Sequence, residues 1–424
     1  MHVDLKMMAR EARQAALKLR MLSREDKDRA LCLLAEKLLE EQDMVFTANA
    51  ADLLQAEAAG LSSAMMDRLR LDAGRLAGIA ADLRKVTELD DPVGEIFDEK
   101  VMPNGLRVHK QRVPIGVLAV IYESRPNVTI DVTGLALKSG NAVILRGGSE
   151  TLHSNQALVA VIRDALAKSG LPKGAVQFID SPDRALVMDM LQMGDAIDML
   201  IPRGGAGLHS FCRENSRIPV ITGGIGVCHL FVDESANLPA AVNVIRNAKV
   251  QRPSVCNALD TILVHRAVAA EVIPAVVRTL GADGVTFRLG SEAMVVLGKH
   301  PELQAQVVPA GPEDFDTEWL SLVLGIRVVD GLDEVLDHIQ THSTGHSDGI
   351  LTQDEANADR FVQTVDSAAV YVNASTRFTD GSQLGLGAEV AISTQRLHAR
   401  GPMALEALTT YKWVIQGENH VRPD

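Results

Sequence analysis

The segment Ile115-Gly-Val-Leu-Ala-Val-Ile-Tyr122 decides the fold class. It is short and almost entirely apolar, which is typical of a strand buried on both faces of a sheet. A helical pattern over residues 127–138 follows it, and then a second strand pattern over residues 141–145. The alternation continues with helices at 151–168 and 182–193 and strands at 175–179 and 197–201. Repeated βα units of this kind predict an α/β fold with a parallel sheet covered by helices.

A second α/β series begins near Val227, after a glycine-rich stretch. Its predicted strands are 228–232, 261–264, 349–352 and 368–372, and its predicted helices are 238–250, 267–280 and 332–341. The first hundred residues have helical patterns. Residues 105–113 and 408–415 are strand-like, and we expect them to pair and project from the body. Because an exposed strand pair is a liability unless a second subunit covers it, we expect a homo-oligomer.

The composition excludes some broad classes of function. The 424 residues carry 42 Lys and Arg against 55 Asp and Glu, which gives a net charge of −13. This balance disfavours a general nucleic-acid binder, because phosphate contacts require clustered basic side chains. The longest apolar runs fall short of the ~20 residues that span a bilayer, and the N-terminus does not resemble a secretory signal. Four cysteines without a CxxC pair indicate free thiols, so we expect a cytoplasmic protein.

Cys256 is the candidate nucleophile. It follows the predicted end of a helix and precedes a strand, within Lys249-Val-Gln-Arg-Pro-Ser-Val-Cys-Asn, so we expect an accessible loop. Lys249 and Arg252 would favour the thiolate, which is the reactive form. The alternative is a packed free cysteine, the commoner fate of this residue. That alternative is favoured for the other three cysteines, Cys32, Cys212 and Cys228.

Two glycine-containing turns follow predicted strands. Arg203-Gly204-Gly205-Ala-Gly207 opens a helix, and backbone amides at such a turn can accept a phosphate. Ordinary turn chemistry explains it equally well, since neither G-x-G-x-x-G nor a P-loop motif is present. Arg146-Gly147 lies where a doubly wound sheet places the adenosine ribose, and an arginine there suits a 2′-phosphate. The alternative is a solvated surface arginine.

His342 and His346 are four residues apart. That spacing suits a metal only within a helix, and Gly345 indicates a loop or a helix end instead. No third ligand is evident, so we predict no metal site. A role in binding a phosphate or a carboxylate is the better hypothesis for the two histidines.

Six strings resemble the aldehyde dehydrogenase superfamily, in order and over nearly the whole chain. They are Tyr122-Glu-Ser-Arg-Pro-Asn-Val-Thr, Gly140-Asn-Ala-Val-Ile-Leu-Arg-Gly-Gly, Leu200-Ile-Pro-Arg-Gly-Gly-Ala-Gly-Leu, Gln251-Arg-Pro-Ser-Val-Cys-Asn, His338-Ile-Gln-Thr-His-Ser-Thr-Gly-His-Ser-Asp-Gly-Ile and Tyr371-Val-Asn-Ala-Ser-Thr-Arg-Phe-Thr-Asp-Gly. Within that superfamily the strings are similar to the enzymes that reduce γ-glutamyl phosphate.

The resemblance implies an aldehyde-dehydrogenase-like fold of two parallel α/β domains with a small β oligomerisation unit. Residues 1–225 would form the NADP-binding domain, interrupted by an oligomerisation strand near residues 105–113. Residues 226–398 would form the catalytic domain, and residues 399–424 the oligomerisation tail.

The resemblance also implies roles for individual residues. Cys256 matches the nucleophile, and Asn127 matches the asparagine that stabilises the oxyanion together with the Cys256 N–H. Arg146 matches the basic residue at the adenosine ribose, and the turn over residues 203–207 matches the turn on the pyrophosphate side of the cofactor. Glu318 matches the glutamate that holds the nicotinamide ribose.

One departure from the superfamily pattern is informative. Hydrolytic aldehyde dehydrogenases carry a glutamate in the glycine-rich turn before the cysteine, whereas this turn reads Val220-Ile-Thr-Gly-Gly-Ile-Gly. Neither Ile221 nor Thr222 can deprotonate water, so a thioester intermediate would survive until hydride arrives. This favours reduction over hydrolysis.

The resemblance therefore implies NADPH-dependent reduction of γ-glutamyl phosphate to glutamate 5-semialdehyde in proline biosynthesis. Arg125, His342, His346 and Arg377 are the candidate partners of the substrate's anionic groups. Because no P-loop is present, a separate glutamate kinase would make the acyl phosphate. Two alternatives stay open, namely a hydrolytic aldehyde dehydrogenase and a non-catalytic binding protein.

Overall fold

The computed structural model describes residues 4–223 and 225–422. The chain folds into two compact units. The first comprises the described parts of Met1–Thr222, Gly385–Ala391 and Met403–Asp424, and the second comprises those of Gly223–Leu384 and Ile392–Pro402.

The first unit begins with five helices and continues as an alternating α/β series. The helices are α1 (Leu5–Leu19), α2 (Arg24–Glu40), α3 (Gln42–Ala58), α4 (Ser63–Leu69), α5 (Ala73–Glu88), α6 (Val128–Lys138), α7 (Leu152–Ser169), α8 (Arg184–Leu191) and α9 (Ala206–Asn215). The strands are β1 (Ile96–Val101), β2 (Arg107–Pro114), β3 (Val117–Tyr122), β4 (Ala142–Gly147), β5 (Val176–Phe178) and β6 (Met199–Arg203).

A four-stranded parallel sheet of order β5-β4-β3-β6 forms the centre of the first unit. All six residues of β3 are buried, as the apolar segment that ends at Tyr122 predicts. The carboxyl ends of β3, β4 and β6 lie at one edge, since Tyr122 pairs with both Gly147 and Arg203. The predicted parallel α/β architecture is confirmed here.

The second unit is a larger parallel α/β layer. Its strands are β7 (Cys228–Val232), β8 (Leu259–His265), β9 (Thr286–Leu289), β10 (Val307–Pro309), β11 (Val323–Val329), β12 (Ser347–Leu351) and β13 (Ala369–Val372). Its helices are α10 (Leu238–Val250), α11 (Ala269–Ala282), α12 (Ser291–Leu297), α13 (Leu332–His342) and α14 (Glu355–Thr364). Two short strands, β14 (Ala391–Ser393) and β15 (Gly401–Met403), follow. The sheet order is β10-β9-β11-β8-β7-β12-β13, and every pairing is parallel.

A separate three-stranded antiparallel sheet belongs to the first unit. Its order is β1-β2-β16, where β16 is Thr409–Gln416 and pairs with β2 from Thr409↔Pro114 to Gln416↔Arg107. The predicted strand pair is confirmed. Tyr411, Trp413 and Ile415 point to the same side of β16 and are 47–63% exposed. No described helix is both long and apolar enough to cross a membrane.

Candidate active site

Cys256 lies in the connection between α10 and β8, where its side chain is half-buried. Its carbonyl oxygen accepts a hydrogen bond from the Cys228 thiol at 3.3 Å. Gly226 packs directly against the same oxygen, because a Cβ at position 226 would overlap it. The Cys256 backbone is therefore held against β7 and the segment that precedes it, as a positioned nucleophile requires.

Glu318 is brought to the same place. Its Oε1 accepts the backbone N–H of Gly226 at 2.9 Å, so the carboxyl group lies beside the Cys256 segment. Burial raises the pKa of Glu318 to about 7. The hydrogen bond from Gly226 acts to lower this pKa, and the neighbouring Asp260 acts to raise it. The structure thus joins Cys256 and Glu318, which are 62 positions apart, through one glycine.

Arg377 is a cation that the fold bonds to Asn257, the residue after Cys256. Its guanidinium donates from Nε to Gln251 Oε1 at 2.8 Å and from Nη1 to Asn257 Oδ1. Burial is the main cause that lowers the pKa of Arg377, followed by the like charge of Arg252, whereas Asp380 and then an ionised Cys256 act in the opposite direction. A cation within electrostatic range of the sulfur favours its thiolate form.

Asn257 connects Arg377 to the nucleophile's own loop. Its carbonyl accepts from Thr376 Oγ1 at 2.7 Å, and its Nδ2 donates to the carbonyl of Thr379 at 2.9 Å. Asn257 is buried, and its hydrogen bonds go to Thr376 and Thr379, which precede and follow Arg377 in the chain. Asn257 therefore ties Arg377 to the loop that carries Cys256.

In the first unit, Asn127 immediately precedes α6 and follows the end of β3. Its Nδ2 donates to Asp131 Oδ2 at 2.8 Å. Arg125 is half-buried two residues earlier, and its carbonyl accepts the N–H of Val128 at 3.1 Å. This segment therefore presents a polar amide at the carboxyl edge of the sheet.

Arg146 is the last residue but one of β4, at the same edge, and is 9% exposed. Its Nη1 donates to the carbonyl of Gly147 at 2.8 Å and its Nη2 to that of Pro182 at 3.3 Å, while its Nε has no partner among the described residues. Burial, and to a smaller degree the like charge of Arg184, lowers the pKa of Arg146. A buried arginine with an unused donor is not the solvated surface residue that the alternative describes.

The turn before α9 holds a carboxylate of the protein itself. Glu123 Oε2 accepts the N–H of Gly205 at 3.0 Å, and a Cβ at Gly204 would overlap that same oxygen. Helix N-termini attract anions through their free N–H groups and the helix dipole. The turn therefore binds a negative charge, and its glycines allow close approach.

The comparisons with known proteins agree with one another. The aldehyde dehydrogenase family model matches residues 2–287. A curated γ-glutamyl phosphate reductase from Serratia proteamaculans is 56% identical over 99% of this chain and 100% of that protein, and one from Roseiflexus castenholzii is 58% identical over 99% of both. The crystal structure of a Thermotoga maritima γ-glutamyl phosphate reductase superposes with a TM-score of 0.94 at 48% identity, covering 99% of this chain and 100% of that chain.

The chain belongs to the γ-glutamyl phosphate reductases of the aldehyde dehydrogenase family. It is therefore an oxidoreductase, and the resemblance drawn from its sequence strings is confirmed.

Two basic side chains near the predicted site are buried in this family member. Lys249 is fully buried and its Nζ pairs with Asp260 Oδ1 at 3.5 Å. His346 is fully buried, and its burial lowers the pKa to about 4. The side chain is therefore mainly neutral at pH 7, and its role toward the substrate's anionic groups stays a prediction. Both residues lie next to loops in sequence, but the fold turns their side chains inward.

His342 and the glycine-rich turn before Cys256 are the other predicted positions of this reductase. His342 contacts Asp316 Oδ1 through Nδ1 at 2.7 Å, and its ring lies 4.4 Å from that of His338. In the turn before the cysteine, Ile221 is buried and Thr222 is half-buried, and neither carries a base. Gly224 of that turn lies outside the described residues.

Three acidic residues of the reductase escaped the sequence reasoning. Glu123 accepts the N–H of Gly205 at the turn before α9, and Asp131 accepts from Asn127. Asp260 accepts the backbone N–H of Trp319, the residue after Glu318, at 3.2 Å. The only signal available was for Glu123, which directly follows the buried strand that ends at Tyr122.

Proposed function

We propose that this enzyme reduces γ-glutamyl phosphate to glutamate 5-semialdehyde and phosphate, with NADPH as the hydride source, in proline biosynthesis. The observation that carries the proposal is the Cys256 loop, held against Gly226 with the Arg377 cation beside it. The names of the curated relatives, which match this chain from end to end, supply the substrate.

The first chemical step belongs to Cys256. Its thiolate attacks the γ-carbonyl carbon, a C–S bond forms, and the C–O bond to phosphate breaks to leave a thioester. The proposed donors to the transient oxyanion are the amide of Asn127 and the backbone N–H of Cys256. Loss of one such donor typically lowers the rate on the order of 10²–10³-fold.

The second step consumes the thioester. The nicotinamide, when bound, supplies the hydride that adds to the thioester carbon. The oxyanion formed then collapses, the C–S bond breaks, and Cys256 leaves as the thiolate with the aldehyde as product. Neither Ile221 nor Thr222 can act as a base toward water, which would slow hydrolysis of the thioester.

The cofactor contacts are assigned to the residues that fit it. Arg146 would pair with the 2′-phosphate, because its buried Nε has no partner among the described residues. Gly147, Arg203, Gly204 and Gly205 would line the ribose and pyrophosphate, and Glu318 would bind the nicotinamide ribose. The Glu123 carboxylate now at Gly205 would have to give way to a pyrophosphate.

The substrate's negative groups are assigned to Arg377, Arg125 and His342. Arg377 is the best supported of the three, because it lies within electrostatic range of Cys256. A separate glutamate kinase would supply the unstable acyl phosphate, and a homo-oligomer would cover the exposed side of β16.

The reverse reaction tests the proposal. Glutamate 5-semialdehyde is oxidised by the purified enzyme with NADP⁺ or NAD⁺, each with and without inorganic phosphate. We expect NADP⁺ reduction that requires phosphate and is abolished in Cys256→Ser. Equal turnover in phosphate-free buffer would instead identify a hydrolytic aldehyde dehydrogenase.

A further inference from the structure

Asn127 precedes the first residue of α6, but its backbone is already helical, with φ −57° and ψ −30°. The N–H groups of Val128 and Thr129 donate to the carbonyls of Arg125 and Pro126, so the first turn has backbone acceptors. The Asn127 side chain makes no capping bond to α6, all of whose residues are described. Its amide is turned toward the side of the helix instead.

Asp131 is the group that holds the amide there. The residue lies one helical turn further along α6, and its Oδ2 accepts the Asn127 Nδ2 at 2.8 Å. An ionised carboxylate only accepts hydrogen bonds, so it can pair with the Nδ2 end of an amide and not with Oδ1. The contact therefore decides which way the amide faces, and it leaves the second N–H of Nδ2 available.

The surroundings of Asp131 disfavour its ionised form. Burial raises the pKa of Asp131 to about 6, with Asp82 of α5 acting in the same direction. The Asn127 hydrogen bond and Arg203, at the end of β6, oppose the rise. The fold thus tolerates a desolvated carboxylate, and that carboxylate fixes the orientation of one amide.

We propose that Asp131 is a positioning residue that orients the Asn127 amide so that its second N–H donates to the substrate oxyanion. The inference rests on the proposed function, in which Asn127 stabilises that oxyanion. Asp131 itself touches neither substrate nor cofactor in this proposal. It acts through Asn127 alone.

A double-mutant cycle on phosphate-dependent semialdehyde oxidation tests the proposal. The variants are Asn127→Ala, Asp131→Ala and the two combined. We expect Asp131→Ala to lower kcat at least tenfold with little change in KM, and Asn127→Ala to lower it on the order of 10²-fold. In the Asn127→Ala background, removal of Asp131 should have no further effect, because residues that act as a unit are not additive.

Asp131→Asn serves as the conservative variant, since its Oδ1 still accepts from Asn127, and should recover most of kcat. It also keeps the test open if Asp131→Ala does not fold. Asp164→Ala removes another carboxylate that accepts from a side chain four residues away, Lys168 at 2.7 Å, and should leave kcat within twofold.

Multiplicative effects in the cycle, or full activity in Asp131→Ala, would overturn the inference while the wild-type enzyme still supports the proposed function. An inactive wild-type enzyme would remove the proposed function, and this inference with it.

Discussion

The backbone of Gly226 lies against the carbonyl oxygen of Cys256, so closely that no Cβ fits between them. The same glycine donates its N–H to Glu318. One residue without a side chain therefore sets the separation between the proposed nucleophile and the proposed ribose-binding carboxylate.

Gly226→Ala should push the Cys256 loop away from β7. Since a displacement of about 1 Å at reacting groups can cost 10²-fold in rate, we expect kcat to fall by about that factor. Steady-state kinetics of phosphate-dependent semialdehyde oxidation measures it. Gly78→Ala is the control, because that helical glycine has open space around its Cβ position and alanine is the better helix former. Unchanged kcat in Gly226→Ala would refute the contact's importance.

Glu318→Gln should raise stability at high pH. The folded-state pKa of about 7 lies above the ordinary glutamate value of 4.5, so the wild-type protein loses stability as pH rises from about 4.5 to 7. Glutamine keeps an acceptor for the Gly226 N–H but has no charge to bury. Removing that charge should raise the free energy of unfolding by about 1–3 kcal/mol above pH 7. Thermal melting from pH 5 to pH 8 should show the variant gaining on the wild type. A constant difference in Tm across that range would contradict the assigned pKa.

Arg377→Gln should slow alkylation of Cys256 by iodoacetamide at pH 7, by about 3–10-fold, because a nearby cation increases the thiolate fraction. Peptide mass spectrometry separates the modification of Cys256 from that of the half-buried Cys32. Arg266→Gln, which removes an exposed arginine of the same unit, is the control. Equal alkylation rates in all three proteins would mean that Arg377 does not act on the sulfur.

The exposed side of β16 should mediate self-association. Trp413 and Tyr411 are about half-exposed next to each other on an edge strand. We expect Tyr411→Asp combined with Trp413→Asp to reduce the molar mass measured by light scattering at micromolar concentration. Lys412→Ser, whose side chain points to the other side of the strand, should not. A wild-type protein that is already monomeric would end this proposal.

Much of the fold follows from local sequence. The apolar run ending at Tyr122 predicts a doubly buried strand, and the strand-like tail around Trp413 predicts the β16 pairing, because both patterns arise from side chains that their own segments carry. The strands β9 and β11 were not predicted, since Arg288 and Arg327 interrupt their apolar pattern and only tertiary pairing stabilises them.

The site was harder to predict, because charge depends on the neighbours that the fold supplies. Lys249 is close to Cys256 in sequence, yet Asp260 on the adjoining strand neutralises it. His346 belongs to a recognisable string, yet its burial lowers the pKa to about 4. Asp131 gave no sequence signal, since its importance lies in a single hydrogen bond to Asn127.

The most direct test of the account is a search for the covalent intermediate. The enzyme is mixed with glutamate 5-semialdehyde and NADP⁺ without phosphate, quenched in acid, and analysed by peptide mass spectrometry. The account predicts a glutamyl adduct on the peptide that carries Cys256, and its disappearance when phosphate is added before the quench. A protein that turns over with phosphate but carries the adduct on another residue, or forms none, would contradict it.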